Sequence, residues 1–348
     1  MTNTYFHICG FAAYTSLGDG IEKIICCLLL LTLQILPIKA ESYCVMSGED
    51  QQVLEEKDMH KQQSVASISK IMTAMIAIEK GNLQDRWQCS EAIETVDGSM
   101  IYLQKDQMVS LESLLYGLML RSGNDAAVEI AEHVGGNEEN FVAMMNEKAK
   151  EIGMSRTLFR NPTGLDEKDG GNVSTAYDMA LLMSYALKNR TFRKIAGTKY
   201  YTSEWNYRWK NKNRLLFSYD KSTAGKTGFT KQAGRTLVTS AENKQLESIV
   251  VTLDMHDDFR FHEQAHQRVS EEYEALVWLD KGSYRVQEKQ FAVERKLYVA
   301  HKKGTGANLR VHSHIEQGEM VYELQHHEQS LLYRFPLAAS KKTTGERL

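Results

Sequence analysis

Ser67-Ile68-Ser69-Lys70-Ile71-Met72-Thr73-Ala74-Met75-Ile76-Ala77-Ile78-Glu79-Lys80-Gly81 opens with a hydroxyl and an amine three residues apart and continues as an apolar helix. Ile68, Ile71, Met72, Met75, Ile76 and Ile78 recur on a helical period, and Gly81 supplies the stop. Positions i and i+3 are neighbours on one helix face, so Ser67 and Lys70 meet. A serine hydroxyl is a poor nucleophile without a base in hydrogen-bond reach, and a lysine is such a base only when burial or a second cation keeps its amine neutral. Ser67 also falls in the first helical turn, where free N–H groups can hold a developing oxyanion. The pair alone decides little. Ser218-Tyr219-Asp220-Lys221 repeats the spacing, and an N-cap serine beside a surface lysine reads the same way.

Two later triplets change the weighting. Leu111, Leu114, Leu115, Leu118 and Leu120 fill the apolar side of a helix from about 111 to 121, with Ser110 as N-cap and Gly123 as its end. Asn124 is placed to cap the next helix, through Ala126, Ala127, Ile130 and Ala131 to Gly135-Gly136, so Ser122-Gly123-Asn124 occupies a tight turn between helices. Lys226-Thr227-Gly228 is expected just ahead of a hairpin whose strands run from Arg235 to Ala241 and from Leu246 to Asp254. A second serine and a second amine can relay a proton to a leaving group, while the Asn124 amide holds a substrate backbone. Lys226 and Thr227 can bind a terminal carboxylate, and Gly228 admits close approach.

Around these motifs, Ser42 to Met46 and Gln52 to Glu55 flank the turn Ser47-Gly48-Glu49-Asp50 as a hairpin. Further helices are expected at 137–152 and 174–188, and from Glu263 to Leu279 on the stripe Val269, Tyr273, Leu276, Val277 and Leu279. Strands at both ends with helices between them make an α+β domain. From Arg285 the pattern shifts to short alternating runs, Phe291 to Ala300, Ala307 to His312 and Met320 to Leu324, separated by Gly304, Gly306 and Gly318. These predict a small β-rich domain over 285–348 behind a catalytic domain at 41–284.

The 348 residues carry 42 Lys plus Arg against 45 Asp plus Glu, are 42% hydrophobic and include only three prolines, which excludes a disordered or fibrous chain. A net charge of −3 offers no basic face for phosphate neutralisation, so no nucleic-acid partner is expected. Ile24 to Leu36, a largely apolar run after Lys23, is short for a mature membrane span. With Ala40 as a small residue at the cut point it predicts a signal peptide over 1–40, either cleaved or kept as an anchor, and a protein exported across the cytoplasmic membrane. Cys9, Cys26 and Cys27 leave with a cleaved signal; Cys44 and Cys89 could form one disulfide, but read more simply as small buried residues. His312-Ser313-His314 and His326-His327 lack the carboxylates or cysteines that would complete a metal site, so neither metal nor cofactor is expected. The mild positive excess after residue 285 reads as solvated surface.

The three motifs together resemble the serine D-alanyl-D-alanine carboxypeptidases, low-molecular-mass penicillin-binding proteins with a Ser-x-x-Lys, Ser-x-Asn, Lys-Thr-Gly signature. The blocks from Ala66 to Ala74, Leu114 to Ala127 and Lys226 to Thr230 are similar to the family's. So are Asn161-Pro162-Thr163-Gly164-Leu165, Ser174 to Met179 and Ala233-Gly234-Arg235, and the likeness covers roughly 42 to 283. It implies a DD-peptidase/β-lactamase-like fold, an antiparallel sheet flanked by helices with a helical subdomain. It also implies Ser67 as acylated nucleophile, Lys70 as its base, Ser122 and Asn124 as the second catalytic element, and Lys226, Thr227 and Gly228 at the substrate carboxylate. The backbone N–H groups of Ser67 and Phe229 would form the oxyanion hole, and Lys226 would help to keep Lys70 neutral. The implied substrates are peptidoglycan stem peptides, with β-lactams as covalent inhibitors.

Departures from the family pattern are Ser69 where threonine is common, Val65 where proline is common, and a polar tail from Leu337 to Leu348 in place of a membrane-binding amphipathic helix. Arg260 matches, loosely, a basic residue that relatives carry after the last strands. Two rival readings stand beside the first. A serine β-lactamase would share two motifs, although Gly123 replaces its usual Asp and only Asp166 and Glu167 suggest a deacylating base. A wall-binding scaffold without activity would have no reason to keep all the motif residues.

Overall fold

The computed structural model describes residues 42–166, 170–306, 309–326 and 329–339. The signal segment, Glu167, Ala307, His327 and the tail from 340 lie outside the described residues. β1 (Ser42–Ser47) and β2 (Val53–Lys57) form the expected hairpin. A 3-10 turn, Ala66–Ser69, then leads into α1 (Lys70–Lys80), which ends at Gly81. α2 (Leu111–Tyr116), capped by Ser110, passes into a π-helical turn over Gly117–Arg121. α3 (Asn124–Gly135), α4 (Glu138–Ile152), α5 (Ala176–Leu187) and α6 (Arg190–Gly197) complete the helical part. β3 (Ser222–Thr230), β4 (Gly234–Asn243) and β5 (Leu246–Leu253) follow, and α7 (Asp258–Glu272) closes this region.

The five strands make one antiparallel sheet in the order β2-β1-β5-β4-β3. Strand alternation gives the sheet two different faces. Val238, Ile249, Val251 and Leu253 enter the main core with Ile68, Ile71, Met72 and Met75 of the nucleophile segment and Met179 and Leu182 of α5. Each such side chain fully withdrawn from water contributes roughly 1.5–3 kcal/mol, which fixes α1 among the other helices while the turn before it lies against the sheet. The opposite face meets α7 and is polar where they touch. His262 faces the Thr239 and Thr252 hydroxyls at 2.7 and 3.0 Å, and His266 faces Thr239 and Ser248 at 2.8 and 2.7 Å.

Four expectations need correction. The last helix stops at Glu272, and 273–279 is β6 (Tyr273–Leu279), paired with β9 (Leu297–Lys302). A short apolar run such as Leu276-Val277-Trp278-Leu279 fits either period, and here a partner strand decides. The run from Phe291 to Ala300 is two strands, β8 (Lys289–Val293), which pairs with β7 (Gly282–Val286), and β9. The change from helix to strand therefore falls between Glu272 and Tyr273. The third and fourth corrections concern the two interior motifs and follow with the site. The remaining strands, β10 (Leu309–Glu316), β11 (Glu319–His326) and β12 (Gln329–Pro336), form a meander. His312 and His314 are exposed on β10 whereas His326 is buried on β11, and no group of three metal-ligating side chains occurs among the described residues. Cys44 and Cys89 are buried free thiols. No helix among the described residues is long and apolar enough to cross a membrane.

Burial pushes His266 down to about 3 and His262 well below its usual range. Below pH 6.5 the unfolded chain therefore takes up protons that the folded chain refuses, and stability falls as pH drops from there towards the folded values. Each histidine supplies a slope of up to about 1.4 kcal/mol per pH unit. Denaturant melts at pH 7, 6 and 5 are expected to show this loss, and H262Q/H266Q should flatten it. An unchanged midpoint in the parent protein would contradict the buried-neutral assignment.

Candidate active site

Ala66, the residue before Ser67, has φ +49, in the left-handed region that costs a side-chain-bearing residue energy. Two contacts hold it there. Thr236 on β4 donates to the Val65 carbonyl at 3.0 Å, and β3 runs past so closely that a Cβ at Gly228 would lie 3.0 Å from the Ser67 nitrogen. Gly228 is thus the position where only glycine fits. The Lys226-Thr227-Gly228 triplet lies within β3, paired Lys226 to Val238 and Gly228 to Thr236, and not ahead of the strand as the sequence suggested.

The other turn also differs from expectation. Ser122 itself, at φ +65, ends the helix, while Gly123 is extended at φ −57 and occupies the N-cap position of α3. Asn124 is the first helical residue and makes no cap. Its side chain is taken by the site: Nδ2 donates to the Asp97 carbonyl at 2.6 Å, which turns Oδ1 towards Lys70. The π turn before Ser122 is the kind of local strain that accumulates where a side chain must be re-aimed.

Lys70, fully buried, has three polar neighbours: Ser67 Oγ at 3.1 Å, Asn124 Oδ1 at 2.6 Å and the Thr163 carbonyl in close contact. The last two can only accept. A neutral amine has two N–H bonds and one lone pair, so donation to Asn124 and Thr163 leaves the lone pair for the Ser67 hydroxyl. Asn161 aims the Thr163 carbonyl by accepting from the N–H groups of Thr163 and Gly164 at 3.2 and 2.7 Å. Gly164, at φ +77 against the Ala66 carbonyl, could hold no side chain. Burial first, then the nearby Lys212 cation, push the Lys70 amine down to about 7, while Asp125 opposes them.

Lys226 is also buried, donating to Ser122 Oγ at 3.0 Å and to its neighbour's carbonyl, Thr227 O, at 2.6 Å. Burial, followed by Lys70 and Lys212, pushes it well below the usual lysine range. Lys212, which no motif marked, is a further cation that bears on both amines, beside the repulsion between Lys70 and Lys226. It is placed by its backbone N–H on the Leu120 carbonyl and by Nζ on Ser99 Oγ at 3.1 Å. Its only sequence signal is a position between Asn211 and Asn213, whose side chains fold the segment through Asn211 to the Ala196 and Thr198 carbonyls and Asn213 to Leu215 N.

A cleft of about 440 Å³ joins Ser67, Ser122, Thr227, Gly228 and Phe229 to Lys212, Arg214 and Arg235. Phe229 is 67% exposed at its edge. Lys226 lies behind Ser122 and does not line this space, and Arg260 is absent from it, paired instead with Asp257 at 3.6 Å. The second Ser-x-x-Lys, at Ser218, sits at the end of a four-residue helix that stops before Lys221, so the chance spacing builds nothing.

Residues 31–257 match the family model described as D-alanyl-D-alanine carboxypeptidase. D-alanyl-D-alanine carboxypeptidase DacF of Bacillus subtilis is 36% identical over 222 residues, covering 61% of this chain and 57% of that protein. The chain spans 57% of the length of DacF and 61% of that of DacC from Escherichia coli. Penicillin-binding protein D2 from Listeria monocytogenes, in its ampicillin-bound form, superposes with a TM-score of 0.61 at 27% identity over 68% of this chain and 99% of that one. Penicillin-binding protein 5 from Haemophilus influenzae shares the fold over 88% of this chain and 98% of its own, with a TM-score of 0.71 at 22% identity. With the three motifs brought together at and behind one cleft and more than half of its length matched by the family model, the chain belongs to the D-alanyl-D-alanine carboxypeptidase family, peptidase family S11.

Proposed function

We propose that the protein is a serine carboxypeptidase that removes the terminal D-alanine from peptidoglycan stem pentapeptides through an acyl-enzyme on Ser67, and that β-lactams acylate the same hydroxyl. The observation that carries this reading is the buried Lys70 amine, whose two N–H bonds have acceptors other than Ser67. Ser67 Oγ attacks the scissile carbonyl carbon as its proton passes to Lys70 Nζ, and the carbonyl electron pair moves onto oxygen, held by the backbone N–H groups of Ser67 and Phe229. Collapse of that intermediate breaks the C–N bond. Ser122, held by Lys226, passes its proton to the departing amine and is reprotonated from Lys70, so Lys70 is neutral again; water then gives Lys70 a proton as it attacks the ester, and that proton returns to Ser67 Oγ as the ester C–O bond breaks. Relatives that carry this name, and a related structure holding ampicillin, support the reading.

Asp166 accepts a hydrogen bond from Ser64 at 3.2 Å and lines a cavity that Ser67 does not line, whereas Glu167 lies outside the described residues. The substrate sets the compartment: action is outside the cytoplasmic membrane, with 1–40 as the export segment. We place the division between the catalytic and β-rich domains where α7 gives way to β6.

Intact-mass measurement after incubation with a penicillin is expected to show one adduct on Ser67, and D-alanine is expected to appear from a pentapeptide. S67A should lose both, by at least 10³-fold in turnover, with its unfolding midpoint retained. Labelling that survives S67A would end the assignment. The acylation rate should rise with pH through the Lys70 value of about 7, because only the neutral amine accepts the proton. K212Q removes a cation, which raises the Lys70 value, so the rising limb should move to higher pH; a profile that stays in place would mean that burial alone sets it.

A further inference from the structure

β10 is an outer strand of the β10-β11-β12 meander, and no strand among the described residues pairs with its other edge. A free edge is a hazard that proteins blunt with lysine, proline, a bulge or a very short strand. β10 has none of these over its eight residues, Leu309-Arg310-Val311-His312-Ser313-His314-Ile315-Glu316, and it pairs with β11 without a register shift. The two-residue turn Gln317-Gly318 joins Glu316 to its partner Glu319, which makes that pair a hydrogen-bonded one and fixes the alternation behind it. Arg310, His312, His314 and Glu316 therefore turn their N–H and C=O groups to β11, whereas Val311, Ser313 and Ile315 turn theirs outward. The side chains are equally incomplete. Val311 extends the row Leu331-Leu324 and Ile315 the row Phe335-Met320; Leu324 and Met320 are buried, but Val311 and Ile315 are 44% and 39% exposed. On the other face Arg310 is exposed with no carboxylate in ion-pair reach among the described residues. Glu316, exposed at the far end of the strand, meets only Arg334 at 2.9 Å, which also faces Glu319 at 3.4 Å.

We propose that β10 is the contact between two copies of this chain, paired antiparallel about a two-fold axis through Ser313. An axis perpendicular to the sheet keeps every side chain on its own face and makes the contact self-complementary. Ser313 then exchanges both of its hydrogen bonds with Ser313 of the second copy, and Val311 exchanges both with Ile315 of the second copy. The side chains agree with the backbone in this register. Val311 packs on Ile315 of the second copy, so each apolar row that ended in solvent is continued across the axis. Arg310 meets Glu316 of the second copy at both ends of the contact, and His312 meets His314. Moving the axis to His312 would set Arg310 against His314 and Val311 against Ser313, and moving it to His314 would carry Arg310 past the end of the strand to Gly318. Charge and apolar matching together therefore select Ser313. None of these residues lines the cleft at Ser67, so the pairing leaves both clefts open.

Sedimentation of the full chain over about 1 to 100 μM is expected to show a monomer–dimer equilibrium, since one strand per copy makes a small interface. R310E sets glutamate against glutamate at both ends of the contact and should weaken the dimer about 10-fold or more. E316R should do the same, and R310E/E316R, which exchanges the pair, should recover most of the loss. S313C should give a covalent dimer on mild oxidation that the parent, with its own cysteines, does not give, because facing Cα atoms in a hydrogen-bonded pair lie about 5.5 Å apart. V311C, about 14 Å from its counterpart in this register, should not. All four positions of substitution are exposed strand positions, and unfolding midpoints equal to the parent's would confirm intact monomers. A monomer throughout that range would leave the edge to a strand of some other protein and overturn the proposal. Association that R310E leaves unchanged would arise elsewhere in the chain and overturn it as well, as would V311C linking as readily as S313C.

Discussion

An amine with no water around it is the constraint on which the rest depends. A charged ammonium at Lys70 would carry a desolvation cost of several kcal/mol, so burial favours the neutral base, and the fold then has to satisfy two N–H bonds and direct one lone pair. Four segments distant in sequence meet that demand. The turn at Ala66–Ser69 brings Ser67 alongside, the start of α3 supplies Asn124, the Asn161–Leu165 loop supplies the Thr163 carbonyl, and β3 closes the side through Gly228. The left-handed residues Ala66 and Ser122 are the local cost of that convergence.

Much of this was legible because the local chemistry repeats itself in sequence. The helix after Ser67 has both its apolar period and its stop, and the hairpins at 42–57 and 234–253 have alternation bounded by turn residues. The three motif triplets came from segments whose types were mostly right, so their convergence could be expected once they were read together. What the sequence could not carry is what depends on the third dimension. Lys212 and Arg214 look like any surface cations, since nothing nearby in sequence says that one sits above a buried amine and the other on an aromatic ring. Lys226 has the same identity whether it is exposed or buried beside Ser122, and only the structure shows which.

The errors at element boundaries have physical causes too. Gly123 is the natural helix stop by composition, yet Ser122 adopts the left-handed conformation because the π turn delivers it there and the site needs its hydroxyl beside Lys226. At the other end, Tyr273 to Leu279 has the side chains of a helix stripe and also those of a strand, and β9 supplies the hydrogen bonds that settle it.

The order of the sheet has a consequence for how such a molecule comes into being. β1 is flanked by β2 from its own hairpin and by β5, so Ser42 pairs with Leu253 across nearly the whole catalytic sequence. A chain that emerges from its N-terminus makes the first hairpin early, but a lone hairpin is marginal in water and must wait with one edge open. Pairing across so long a loop is slow to form, and Lys226 and Gly228 arrive on the same late hairpin that completes the sheet. Ser67 therefore meets Gly228 and the strand that carries Lys226 only when the final strands dock, so its surroundings belong to the finished sheet alone.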